Sequence, residues 1–155
     1  MLKPIAIATL ISGTLDILLA TALTILNGRA PADMLRFVAS GPFPAATGMG
    51  TAGAILGLAV HFSLMAIMAA VFMWLARARP ILLETPIRTA LAYGIVTYIV
   101  LDLLVVPLRF PGAFPPKPLS IATQLFAHIV LVALVFVFVA RRTMKKELQA
   151  RPAAA

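Results

Sequence analysis

The stretch from Gly50 to Trp74, GTAGAILGLAVHFSLMAIMAAVFMW, contains no Lys, Arg, Asp or Glu, and His61 is its one titratable side chain. About 20 apolar helical residues cross a hydrocarbon layer of about 30 Å, so this run is long enough to span a bilayer. Inside that layer no water meets the backbone, which leaves a helix as the way for one segment to satisfy its own N–H and C=O groups. The rest of the chain agrees. Hydrophobic residues make up 62% and charged residues 12%, against about 25% charged in soluble domains. The absence of Cys excludes a disulfide framework, thiolate metal sites and Cys nucleophiles. The formal charge of +8 lies at the ends of apolar runs, where topology and lipid headgroups account for it without nucleic acid.

Four spans are expected, at about 5–26, 50–75, 88–107 and 119–140, followed by a basic tail at 141–155. They form one all-α transmembrane domain, a four-helix bundle, with no repeat or composition shift to mark a second unit. The first run has a basic start and an Ala20-Thr21-Ala22 sequence reminiscent of a cleaved signal, but Asp16 and its full spanning length favour a retained helix. Between the first two spans, Asp33 is placed to cap a short helix over Asp33 to Ser40. That helix is expected to lie in the interface plane of the first outer loop and to stop at Gly41-Pro42-Phe43-Pro44. Pro80 and Pro86 shape a tight hairpin, and the third span should end at Pro107. Nine basic residues lie on the side of the termini (Lys3, Arg77, Arg79, Arg88, Arg141, Arg142, Lys145, Lys146, Arg151) and four opposite (Arg29, Arg36, Arg109, Lys117). The positive-inside rule therefore puts both termini in the cytoplasm and the two long loops outside.

Each span contributes one Asp or His: Asp16, His61, Asp102 and His128. At a rise of about 1.5 Å per residue, all four fall near the middle of the layer. Small or polar neighbours back each one at helical spacing: Ser12 behind Asp16, Gly53 and Gly57 behind His61, Gly94 and Tyr98 behind Asp102, Ser120 and Gln124 behind His128. Gly53, Gly57 and Gly94 also provide smooth faces for close helix packing. Four stripes then face one axis, the two His on one diagonal and the two Asp on the other, where carboxylate and imidazole offset each other's desolvation.

A charged residue at a helix centre resists insertion by about 2.5 to 3.5 kcal/mol, so neither Asp is expected to stand alone. The cluster has four readings. It fixes helix register as hydrogen-bond glue. It binds a divalent metal through His61, His128, Asp16 and Asp102, two imidazoles and two carboxylates being the ligand set of zinc, manganese or non-haem iron. It clamps haem b between His61 and His128. It relays a proton or substrate. No catalytic nucleophile, phosphate-binding glycine loop or paired-His zinc motif is present, so the chain reads as a non-catalytic membrane protein.

PADMLRFVASG, the Gly50–Trp74 run, RTALAYGIVTYIVLDLLVVPL and a late His128 before a basic end resemble, in that order, the YagU-like family of small bacterial inner-membrane proteins. The resemblance covers most of the chain and implies a four-helix inner-membrane protein. It implies no particular chemistry, and the chain departs from the family pattern in carrying Asp102 where an amide is common. Two alternatives stand beside a lone bundle with a polar midplane site. One is an accessory or scaffold subunit of a larger membrane complex, or a homo-oligomer, docked through the glycine faces. The other is a small proton-coupled transporter. In every case the lipid bilayer is the first partner.

Overall fold

A computed structural model describes residues 1–149, with side chains described through Met144. The chain forms α1 (Leu2–Leu26), α2 (Pro31–Ser40), α3 (Gly50–Ala78), α4 (Pro86–Arg109) and α5 (Pro118–Met144), with helical backbone continuing to Gln149 and no strand among the described residues. Four of these, α1, α3, α4 and α5, are long and apolar enough to cross a membrane. The protein is a multi-pass, all-α membrane bundle.

Three boundaries differ from the sequence expectation, each for a local reason. The short helix begins at Pro31, with Pro in its first turn and Ala30 at the cap position. Proline's fixed φ suits that first turn. Asp33 consequently lies inside the helix and pairs with Arg36 instead of capping. Helix α4 runs through Pro107 to Arg109. Upstream, Ile99–Val105 adopts wide π-type turns, which relax the clash a proline ring makes with the carbonyl four residues back. Helix α5 does not stop at Ala140, because Arg141 to Gln149 holds neither Gly nor Pro. The tail expected at 141–155 is thus helical to Gln149, and residues 150–155 lie outside the described residues.

Helix α1 packs between α3 and α5, and α5 packs between α1 and α4. Although a tight hairpin joins α3 to α4, their backbones stay apart across an apolar lateral cleft of about 480 Å³ between Leu64–Leu75 and Thr89–Leu101. At the end carrying the termini, the core closes around Phe72, Met73, Val132, Phe136 and Val137, all essentially inaccessible. Phe72 meets Tyr93 edge-on at 5.1 Å between ring centroids, and the Tyr93 hydroxyl donates to the Met68 carbonyl at 2.7 Å.

The opposite half is filled differently. A Cβ on Gly57 would collide with the Leu35 carbonyl, and one on Gly53 with the Ala46 carbonyl. The smooth face of α3 therefore receives α2 and the 3₁₀ turn Pro44–Gly48, and no other span. Arg109 fastens this helix from the far side. Its Nε donates to the Gly41 carbonyl at 2.8 Å and its Nη2 to the Ser40 carbonyl at 2.9 Å, so a cation meets the negative end of the α2 dipole. Phe37 stacks on Phe110 with centroids 4.5 Å apart, beneath the same guanidinium.

Because Gly57 lies against backbone, which cannot move aside as a side-chain tip can, Gly57→Leu is expected to undock α2. The loss should be about 1 to 3 kcal/mol, read as a lower thermal midpoint in detergent together with faster protease cleavage between residues 27 and 49. Gly48→Ala, whose Cβ would meet nothing within 4 Å, should leave both readouts unchanged.

Candidate functional site

Two His–carboxylate pairs lie in the middle of the bundle, one on α1 and α3, the other on α4 and α5. Gly13 makes the first pair accessible. A Cβ there would come within 2.6 Å of the Phe62 ring, so glycine lets α1 approach α3 closely enough for the buried His61 to reach the Gly13 backbone without displacing that ring. His61 Nε2 is 2.9 Å from the Gly13 carbonyl oxygen. A carbonyl only accepts, so Nε2 carries the hydrogen and donates it. That leaves Nδ1 turned toward Asp16, whose Oδ2 stands 3.9 Å away. This gap exceeds a direct hydrogen bond, and the pair is open.

The second pair is closed. His128 Nε2 is 3.0 Å from Asp102 Oδ2, and His128 Nδ1 is 2.9 Å from the Thr97 hydroxyl oxygen. The Thr97 hydroxyl in turn donates to the Gly94 carbonyl at 3.1 Å. The His128 ring thus bridges Thr97 and Asp102, with one nitrogen turned to each. Tyr98 lies edge-on to the His128 ring at 6.1 Å between centroids.

Gly94 and two stretches of widened helix set this geometry. A Cβ on Gly94 would sit 2.7 Å from the Ile129 Cα and 2.9 Å from the His128 carbonyl oxygen, so α4 and α5 touch backbone to backbone at this level. Asp102 falls within the π turns of Ile99–Val105, and His128 within those of Ala127–Ala133. Such turns add a residue to each turn and recur at functional sites.

Several supporting residues lie elsewhere than their spacing implies. Ser12 is fully buried but donates to its own helix, to the Ala8 carbonyl at 2.7 Å, and so does not support Asp16. Ser120 and Gln124 are exposed on α5. The π turns beginning at Ala127 break the four-residue register that would have set Gln124 behind His128. Gly53 and Gly57 hold α2 instead of a neighbouring span. The partners that do the work, Gly13 and Thr97, are a backbone carbonyl and a hydroxyl one residue off the expected stripe. The only sequence signal for Gly13 is a glycine inside an apolar run.

The four-ligand metal set of His61, His128, Asp16 and Asp102 is not formed, since among the described residues no three His, Asp or Glu side chains gather where they could hold one ion. Each imidazole is turned to its own helix pair. For haem b, His61 keeps Nδ1 free while both nitrogens of His128 are engaged, so axial ligation by both would first have to break a His128 contact.

No known protein family, curated protein or solved structure matches the chain.

If Asp102 and His128 share a proton, their contributions to stability must be coupled. A double-mutant cycle on Asp102→Asn and His128→Gln in detergent is expected to give about 0.6 to 1.7 kcal/mol of interaction energy, the span measured for intramembrane hydrogen bonds. Ser120→Ala and Gln124→Ala, both on exposed positions, should each change stability by less than about 0.5 kcal/mol.

Proposed function

We propose that the protein is a proton-binding membrane protein of the bacterial inner membrane, with both termini cytoplasmic, in which the Asp16–His61 and Asp102–His128 pairs take up and release protons as a small proton-coupled transporter. One observation carries this reading. Each imidazole is anchored through one nitrogen to a neutral protein group, Gly13 or Thr97, and presents the other to a carboxylate. An imidazole held this way has a fixed orientation and a single nitrogen at which a proton is gained or lost. Intramembrane Asp and His residues that face one another mark such relays.

The difference between the pairs suits a relay. The closed pair is already at hydrogen-bond distance, while the open pair needs its carboxylate to move by about 1 Å to reach it. On the side of the termini, Thr9 Oγ1 is buried with no hydrogen-bond partner among the described residues. It stands one helical turn from Gly13 and supplies a polar group between the first pair and that end of the bundle.

A purely structural role is the second reading, favoured by the way Ser12, Thr97 and both His side chains find partners within the protein. Proteoliposomes carrying an imposed pH gradient and an enclosed pH-sensitive dye distinguish the two. The wild type is expected to dissipate the gradient, and Asp16→Asn and Asp102→Asn each to slow this by about 10²-fold or more, in the range of general acid–base contributions of about 10²–10⁴. Dissipation indistinguishable from empty liposomes, in protein whose helicity is intact, would leave the packing role in its place.

A further inference from the structure

A second concavity, well separated from the midplane pairs, opens at the end of the bundle that carries the termini. It has a volume of about 370 Å³ and is lined by Met1, Lys3, Pro4, Arg77, Arg142, Thr143 and Met144. Its three cationic side chains come from three different helices: Lys3 from the first turn of α1, Arg77 from the last turn of α3, and Arg142 from α5 beyond its apolar stretch. Among the described residues no acidic side chain lines it, and none of the three forms an ion pair. The Thr143 hydroxyl donates to the Val139 carbonyl of its own helix, which leaves the cations as the polar side chains turned to a ligand.

We propose that this pocket binds the phosphate headgroup of an anionic phospholipid. Topology alone requires basic residues near the ends of spans, but it does not require three of them to converge on one hollow, where like charges repel until an anion enters. The guanidinium groups of Arg77 and Arg142 can each present paired N–H donors to phosphate oxygens, with Lys3 adding a point charge. A lipid is favoured over a soluble anion by where the pocket sits. Trp74 lies one turn before Arg77 on α3 and is 64% exposed, the disposition of an indole at headgroup depth. Leu2, 83% exposed beside Lys3, offers the adjoining surface to an acyl chain. Basic hollows between spanning helices are the recurrent form of headgroup recognition.

Native mass spectrometry of the detergent-solubilised full-length protein tests the site. It would be titrated with phosphatidylglycerol, with phosphatidylcholine of the same acyl chains, and with inorganic phosphate. Phosphatidylglycerol is expected to bind at least about ten-fold more tightly than phosphatidylcholine, and each alanine replacement among Lys3, Arg77 and Arg142 to weaken it about five-fold, the equivalent of about 1 kcal/mol per charge. Arg29→Ala with Lys117→Ala, at the opposite end, should keep the preference. Because removing positive charge can disturb insertion, Arg77→Lys and Arg142→Lys form a second arm that keeps the charge and removes the fork. Their affinity is expected to fall between wild type and alanine. Equal binding of the two lipids, a preference that survives removal of all three cations, or an equal loss in the opposite-end control would overturn the proposal. So would inorganic phosphate displacing phosphatidylglycerol at comparable concentration, which would assign the pocket to a soluble anion.

Discussion

The approach of α4 to α5 at Gly94 is the contact on which the polar centre depends. With no side chain at that position, the two backbones meet at the level of His128 and Ile129. Thr97, one turn further along α4, then comes to 2.9 Å from His128 Nδ1, and Asp102 comes to 3.0 Å from Nε2. Separated by the width of an ordinary side chain, these groups would face lipid singly, and each would carry the full penalty of an unpaired polar group in hydrocarbon. Tight packing in a membrane is thus what makes the charge-bearing residues tolerable, and the order of cause runs from the glycine to the pair.

The same rule explains the other half of the molecule. Where α3 and α4 diverge, the space at the end opposite the termini is closed by α2, seated on Gly53 and Gly57 and held by Arg109. The last carbonyls of a short helix must find donors, and the Arg109 guanidinium provides two at once while its face covers Phe110. Further toward the termini the divergence persists as an apolar cleft, whose hydroxyl-bearing residues Thr89, Tyr93 and Thr97 direct their protons inward to the Leu82, Met68 and Gly94 carbonyls. That wall therefore presents hydrocarbon to hydrocarbon.

Span number, helix type and the presence of one Asp or His on each span were legible because they rest on run length and on the rarity of charge within apolar runs. The groups that support each carboxylate and imidazole were not. Helical spacing assigned Gln124 to His128 and Tyr98 to Asp102, which assumes 3.6 residues per turn throughout. Both residues of the closed pair lie in π turns, where that period fails. The second nitrogens of the two histidines are held by a threonine and a glycine carbonyl, and residue type alone does not distinguish a carbonyl left open by a close crossing from any other. The destination of Gly53 and Gly57 was hidden for a related reason. A glycine stripe announces that something packs closely on it, and only the path of the 27–49 segment decides that α2 is what arrives.

The energetics of the site weigh against glue as its whole purpose. An intramembrane hydrogen bond contributes about 0.6 kcal/mol on average, whereas an aspartate at a helix centre opposes insertion by about 2.5 to 3.5 kcal/mol. A Thr or Asn at positions 16 and 102 would fix register at less expense, as Thr97 does beside Asp102 through its contact with His128 on the next helix. Geometry sharpens the point. If register were the purpose, the Asp16–His61 pair would be closed, yet it stands at 3.9 Å while His61 takes its firm bond from Gly13. A carboxylate set near an imidazole without a direct hydrogen bond adds little to packing and retains the capacity to gain or lose a proton.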